Sequence, residues 1–311
     1  MVSAAGARPG IGLTLPTWKS HGEPVARWPQ IRALALDAEA IGVDTLWVPD
    51  EIGFWDPWAI LPAVAAVTSR VSIGPLVLCT GYRHPSTIAS AAAGLDEVSG
   101  GRAILGLGSG YGPRDPGWGR LGFEQADHME RFEESVEIVA RLLRRERWPD
   151  PLTFDGRIFH LDGGAIRPTG PRPDGPPIWV AAGKRRTMEV AARWGDTVNF
   201  NNPLTDAASV EAFMGPLREA CAAVGRDVAT IEVTGWVRVA LDRSAGDRTD
   251  TIAGDPADVA AGLRALQAHG LTHLSCYVGH PDDPSPYPAL TRAALDRWAA
   301  VMEALEALPA A

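Results

Sequence analysis

The sequence is poor in the residues that build metal centres and disulfide frameworks. Its three cysteines, Cys79, Cys221 and Cys276, lie far apart with no C-x-x-C pair, and there are seven histidines. An odd, scattered set of thiols signals neither a disulfide scaffold nor a zinc site and suits a reducing compartment. His269 and His273 have the spacing of helical metal ligands, but Gly270 stands between them and a strand reading begins at Leu271. They read as a loop and a strand histidine, and no metal is expected. No apolar run reaches the roughly 18 residues a membrane span needs, and the opening MVSAAGARPG has no apolar centre like that of a signal peptide. A cytoplasmic protein is the expectation. Basic residues are also scarce, 29 Lys and Arg against 38 Asp and Glu, for a net charge of -9. That balance disfavours nucleic-acid backbones and anionic membranes, which leaves a small organic molecule as the expected partner.

Familiar nucleotide and hydrolase motifs are missing too. There is no G-x-x-x-x-G-K-[ST] phosphate loop, and Ser109 falls one position too late for a G-x-S-x-G elbow. The run GLGSGYG at 106–112 places glycine at every second position, not in the G-x-G-x-x-G order that cradles a dinucleotide.

What is present is alternation. The chain is 46% hydrophobic with 33 Gly and 26 Pro, a globular composition with many turns. Strand readings fall at Ile11–Pro16, Thr45–Pro49, Val71–Cys79, Arg102–Leu107, Ile178–Ala182, Thr197–Phe200, Ile231–Leu241 and Leu271–Val278. Segments with helical spacing fall between and after them, such as Trp28, Ile31, Leu34, Ala35 and Ala38, or Met129, Phe132, Val136, Val139 and Leu143. Eight βα units without a break in composition predict an α/β fold, a (β/α)₈ TIM barrel, with residues 1–311 as one domain. The Pro- and Gly-rich stretch 148–177, containing TFDGRIFHL, predicts a hairpin inserted between the fourth helix and the fifth strand.

A barrel carries its active site at the C-terminal ends of the strands. That rule selects Glu51 and Trp55 after strand two, Thr80, Arg83 and His84 after strand three, and Gly108, Ser109 and Tyr111 after strand four. Glu51 and His84 are candidate proton-transfer groups, and Trp55 and Tyr111 are candidate walls that exclude water. His84 precedes Pro85 and serves equally as the start of a helix, so it and Arg83 have a structural alternative. After strand five, Gly183, Lys184, Arg185 and Arg186 precede the helical TMEVAARW. Cations at the positive end of a helix dipole are unfavourable unless an anion is bound, which points to a phosphate.

Read in order, AEAIGVDTLWVPD, DPWAILPAVAAVTSRVSIGPLVL, YRHPSTIASAAAGLDEVSGGRAILGLGSG, RFEESVEIVARLL and PPIWVAAG with AARWGDTV resemble the luciferase-like monooxygenase family over most of the chain. The resemblance implies a (β/α)₈ barrel that uses reduced FMN or the deazaflavin coenzyme F420. It further implies that Leu76–Val77 is a non-proline cis peptide supporting the flavin ring and that Thr80, Gly108 and Ser109 line the ring or its ribityl chain. Gly183, with Lys184, Arg185 and Asn201, would hold the phosphate. Two departures stand out: Asp50-Glu51 replaces the Asp-His of many members, and Tyr111 replaces the Glu of the deazaflavin sugar-phosphate dehydrogenases. The leading expectation is oxygenation of a small organic substrate by reduced FMN and O₂, served by a separate flavin reductase. F420-dependent hydride transfer and a non-catalytic flavin-binding relative are the alternatives, and the resemblance implies a homodimer.

Overall fold

The computed structural model describes residues 8–19, 24–110, 121–123, 126–147, 151–242, 248–279 and 287–309. Strand and helix alternate from β1 (Gly10–Thr14), α1 (Trp28–Ala40), β2 (Thr45–Val48) and α2 (Pro57–Val67) to β3 (Ser72–Pro75), β4 (Leu78–Cys79) and α3 (Pro85–Ser99). They continue through β5 (Leu105–Gly108), α4 (His128–Leu143), β6 (Leu152–Asp155), β7 (His160–Gly164), β8 (Ile178–Ala182) and α5 (Arg185–Trp194). The last elements are β9 (Thr197–Pro203), α6 (Ala207–Val224), β10 (Glu232–Leu241), β11 (Thr251–Gly254), α7 (Pro256–Gln267), β12 (His273–Val278) and α8 (Arg292–Ala307). Proline in the first turn starts α2, α3 and α7, where its missing N–H has no helical acceptor to lose. Asp56 and Asp255 cap two of these helices by accepting from Trp58 N and from Ala257 and Asp258 N.

The strands pair in parallel in the order β3-β2-β1-β12-β10-β9-β8-β5-β4. Because β3 and β4 are consecutive pieces of one strand, this path returns on itself. The ring closes through the Ile73–Ala103 bridge and the pairing of Leu78 and Cys79 with Leu107 and Gly108. Closure brings backbones very near: a Cβ on Gly74 would lie 2.1 Å from the Ile104 carbonyl oxygen, and one on Gly106 would lie 2.3 Å from that of Pro75. Glycine is the residue that lets these strands meet. The third strand therefore departs from the continuous Val71–Cys79 expectation, being split at Leu76–Val77, a cis peptide. A short extra strand, β11, pairs in parallel with the end of β10 outside the ring. The antiparallel pair β6 and β7 forms the inserted hairpin between α4 and β8. Glu134 of α4 anchors it by accepting from the amides of Arg157, Ile158 and Phe159.

The two faces of the strands differ in character. The outward side chains, among them Ile11, Leu13, Leu46, Ile73, Val198, Val237 and Leu274, join the helices in the main aliphatic core. Those turned into the barrel are polar or aromatic: Thr45, Trp47, Trp179, Asn199, Thr234, His273 and Ser275 are all buried. At the base, the His273 ring meets Trp179 and Trp47 edge-on at 5.0 and 5.8 Å, and His273 Nε2 lies 3.1 Å from Thr45 Oγ1. Outside the barrel at this end, Arg102 donates to the carbonyls of Ala65, Thr68 and Val71, and Arg226 to those of Ala192 and Gly195. These guanidinium groups satisfy carbonyls at helix ends, a stabilising role expected at the face away from the chemistry.

Candidate functional site

The C-terminal mouth divides into two arcs. One runs over β4, β5, β8 and β9. Here the Val77 side chain lies against Gly108 so closely that a Cβ on Gly108 would come within 2.5 Å of Val77 Cγ2. The buried hydroxyl of Thr80 donates to the Gly108 carbonyl at 3.3 Å, and Ser109 follows at the end of β5. Leu76, Val77, Thr80, Gly108 and Ser109, the set the resemblance implies for the ring, are neighbours here. On the next strands along, Asn201 packs directly over Gly183, where a Cβ would sit 1.8 Å from Asn201 Oδ1. Gly183, Lys184 and Asn201 meet at the start of α5.

The cations at this helix start are less needy than the sequence suggests. Arg185 pairs with Glu189 one turn on, at 2.7 Å. Arg186 reaches Glu133 and Glu130 of α4 at 2.8 and 3.2 Å, and those hydrogen bonds raise its pKa above the ordinary guanidinium value. Internal carboxylates therefore relieve the repulsion that an anion was expected to relieve, which corrects that argument. The amides of Gly183 and Lys184 both donate to Thr187 Oγ1 at 3.1 Å. The amides still unsatisfied by position are those of the first helical turn, 185–187. Lys184 is exposed and makes no ion pair among the described residues.

The arc fits a flavin-type group on the chemistry it presents. Close-packed backbone and Val77 form a platform for a flat ring, the Thr80 and Ser109 hydroxyls follow, and helix-start amides with an ammonium stand where a phosphate would end.

Between the arcs, Asp50 ends the approach from β2. It accepts from Cys79 N at 2.9 Å and pairs with both ends of the Arg83 guanidinium, at 2.6 and 3.1 Å, while Arg83 also reaches Asp56. Burial pushes the Asp50 carboxyl upward against the pull of Arg83. Arg83 is thereby a brace between two loops. His84 caps α3: its Nδ1 accepts from Ser86 N, and its ring meets Phe159 of the hairpin at 5.2 Å. Burial pushes the Cys79 thiol up to about 12, so it stays protonated and unreactive.

The second arc, over β2, β1, β12 and β10, is aromatic. Trp18 stacks on Phe54 at 5.3 Å and meets Tyr277 at 6.4 Å; Trp236 meets Tyr277 at 5.5 Å and Tyr287 at 5.0 Å. Burial raises the Tyr277 phenol, to which Glu51 also contributes as a nearby negative charge. Glu51 is half-buried at this boundary. Trp55 is 48% exposed and donates from Nε1 to the Ala26 carbonyl, apart from the ring cluster. Tyr111 lies outside the described residues, as do residues 148–150 of the insertion.

The sequence reading placed Asp50 and Phe54 on the rim after strand two without giving them a role, and it missed the rings of Trp18, Trp236, Tyr277 and Tyr287. A signal was available: the alternations Thr234, Trp236, Arg238 and His273, Ser275, Tyr277 mark an inward polar and aromatic face on strands otherwise aliphatic.

Comparison with known proteins follows the same lines. The family model described as luciferase-like monooxygenase matches residues 10–252. An F420-dependent glucose-6-phosphate dehydrogenase of Kineococcus radiotolerans is 33% identical over 218 residues, 67% of this chain and 63% of that one. The 4-hydroxyprotoasukamycin monooxygenase of Streptomyces nodosus subsp. asukaensis is 29% identical over 221 residues, 69% of this chain and 58% of that one. The chain thus spans under two thirds of the length of each. Among solved structures, the coenzyme F420 dependent tetrahydromethanopterin reductase from Methanopyrus kandleri superposes with a TM-score of 0.74 at 18% identity, covering 96% of this chain and 98% of that one. At that identity the likeness shows a shared fold.

Proposed function

Because the chain belongs to the luciferase-like monooxygenase family, we propose that it is an oxidoreductase using coenzyme F420 to oxidise or reduce a small organic substrate. The observation that carries this reading is the 33% identity to an F420-dependent dehydrogenase over two thirds of the chain. It displaces the initial preference for reduced FMN. When bound, the deazaflavin supplies two-electron hydride transfer without O₂. Leu76, Val77, Thr80, Gly108 and Ser109 would hold its ring and ribityl chain, and Lys184, Asn201 and the start of α5 its phosphate. Glu51, on the boundary between the arcs, would accept the proton released as a substrate hydroxyl becomes a carbonyl.

Sugar phosphates are not carried over with the cofactor. By the resemblance stated above, Glu51 falls where many members carry histidine, and Tyr111 where the sugar-phosphate dehydrogenases carry glutamate. A second reading, oxygenation with reduced FMN, is favoured by the likeness to the 4-hydroxyprotoasukamycin monooxygenase and would require a separate flavin reductase. Oxygen dependence separates the two. Product formation from an alcohol and ketone panel with F420 under argon supports the first reading, whereas turnover only with reduced FMN and consumed O₂ supports the second and overturns it.

We also propose a homodimer. Helix α2, PWAILPAVAAV, carries no charged side chain, yet Ala59 and Ala66 face solvent and Val98 of α3 is 56% exposed. An uncharged outer helix face of this kind is suited to a second copy of the chain.

A further inference from the structure

The aromatic arc has no part in holding the cofactor under the reading above, and its composition bears on the substrate. Its rings come from four neighbouring strands or the loops that follow them. Trp18 follows β1, Phe54 follows β2, Trp236 lies on β10, and Tyr277 and Tyr287 lie on and after β12. Trp236 and Tyr277 point into the barrel, since Gly235 and Cys276 beside them face the outer core. Trp18, Trp236 and Tyr277 are nearly enclosed, while Phe54 and Tyr287 are only half-buried. The cluster is therefore a packed aromatic wall with two of its rings still partly open to solvent. Aromatic surface of this kind gains from flat apolar ligands through offset or edge-on contact.

Among the described residues, the charges around the mouth do not suit a doubly anionic sugar phosphate. Arg83 is committed to Asp50 and Asp56, Arg185 to Glu189, and Arg186 to Glu130 and Glu133. Arg238, two residues beyond Trp236, lies close enough to Asp250 to lower that carboxyl. Glu51 adds negative charge beside Tyr277. The remaining ammonium on this side, Lys19, is exposed to solvent next to Trp18, where screening weakens its pull.

We infer that the substrate of this site is a ring-bearing, largely apolar molecule whose ring packs against Phe54 and Tyr287, backed by Trp18, Trp236 and Tyr277. The inference rests on the reading that the β4–β9 arc takes the cofactor, leaving the opposite arc for the substrate. It makes Phe54 and Tyr287 specificity-determining residues, with Glu51 placed to receive a hydroxyl proton at the edge of the bound ring.

The test uses 2-naphthol as the probe and glucose 6-phosphate as its counterpart, with binding to the full chain measured by calorimetry in the presence and absence of F420. Naphthol should bind in the micromolar range, and Phe54→Ala and Tyr287→Ala should each weaken it about tenfold, as loss of one aromatic contact and its buried area implies. F420 affinity should stay within about twofold in both variants, since neither side chain lies on the cofactor arc. Glucose 6-phosphate should not compete. Circular dichroism spectra matching the wild type would show that the variants fold, and two variants on separate loops guard against a local failure of one. Naphthol affinity unchanged in both variants, or glucose 6-phosphate binding as tightly as naphthol, would overturn the inference. The two claims fail separately: naphthol binding that is lost in the variants, without F420 binding, would keep the aromatic site and discard the cofactor reading. F420 binding without naphthol binding would do the reverse.

Discussion

Acidification from pH 7 to pH 4 should weaken the fold through a single buried side chain, His273. The ring is enclosed at the base of the barrel by Trp47 and Trp179, and its Nδ1 has no hydrogen-bond partner among the described residues. Burial depresses its pKa from the ordinary 6.5 to about 4. In the unfolded chain it takes a proton near 6.5, so between these values the unfolded state binds more protons and stability rises with pH. The contribution is fully present above about pH 6.5, falls as pH drops toward 4, and levels off below that. A depression of this size corresponds to about 3 kcal/mol. The measurement is urea unfolding of the wild type and His273→Gln at several pH values, comparing how much each loses between pH 7 and pH 4. The wild type should lose about 3 kcal/mol more, since the amide does not titrate. Parallel losses in the two proteins, or an NMR titration placing His273 near 6.5, would refute the reasoning.

Glu39 sets the opposite kind of test at the same end of the barrel. Burial alone would raise its carboxyl, but the amides of Val71, Arg70 and Ser69 hold it at about 2, so its contribution is present above about 4.5 and lost as pH falls through 2. Glu39→Gln should cost about 2 kcal/mol at pH 7, read as a lower urea midpoint. Arg83→Ala should cost about 3 kcal/mol by leaving the Asp50 carboxylate buried without its guanidinium, and Asp50→Asn in the same background should recover part of it. Gly108→Ala should displace Val77 and weaken F420 binding at least about tenfold, equivalent to about 1.4 kcal/mol, as read by a fluorescence titration; unchanged affinity would remove the ring from this platform. Ala66→Arg on α2 should shift the chain from dimer to monomer in light scattering, and an unaltered dimer would place the interface elsewhere.

The fold was legible because alternation is a physical consequence of burying one face of each element. Helices α1 and α4 bury most of the apolar residues chosen from their spacing, Trp28 and Met129 in their first turns being half-buried, and the eight strand readings all correspond to strands of the ring. The third strand was harder to read, because Val71–Cys79 is apolar throughout and nothing in that run marks a break at Leu76–Val77. The residues of the β4–β9 arc were legible from motif resemblance and strand ends together. The aromatic arc was not, because Trp236 and Tyr277 sit inside segments that read as ordinary buried strands. Only the ring order, which sets β12 beside β1 and β10 beside β12, brings them to Trp18 and Phe54. The basic helix start misled for a related reason: Glu130 and Glu133, which neutralise Arg186, lie more than fifty residues away in sequence.

The most direct test of the central claim is a paired equilibrium titration of the full chain with F420 and with FMN, each in oxidised and reduced form, followed by fluorescence. The account predicts low-micromolar binding of F420, at least about tenfold tighter than FMN in either redox state. Tight binding of reduced FMN with none of F420 would contradict it.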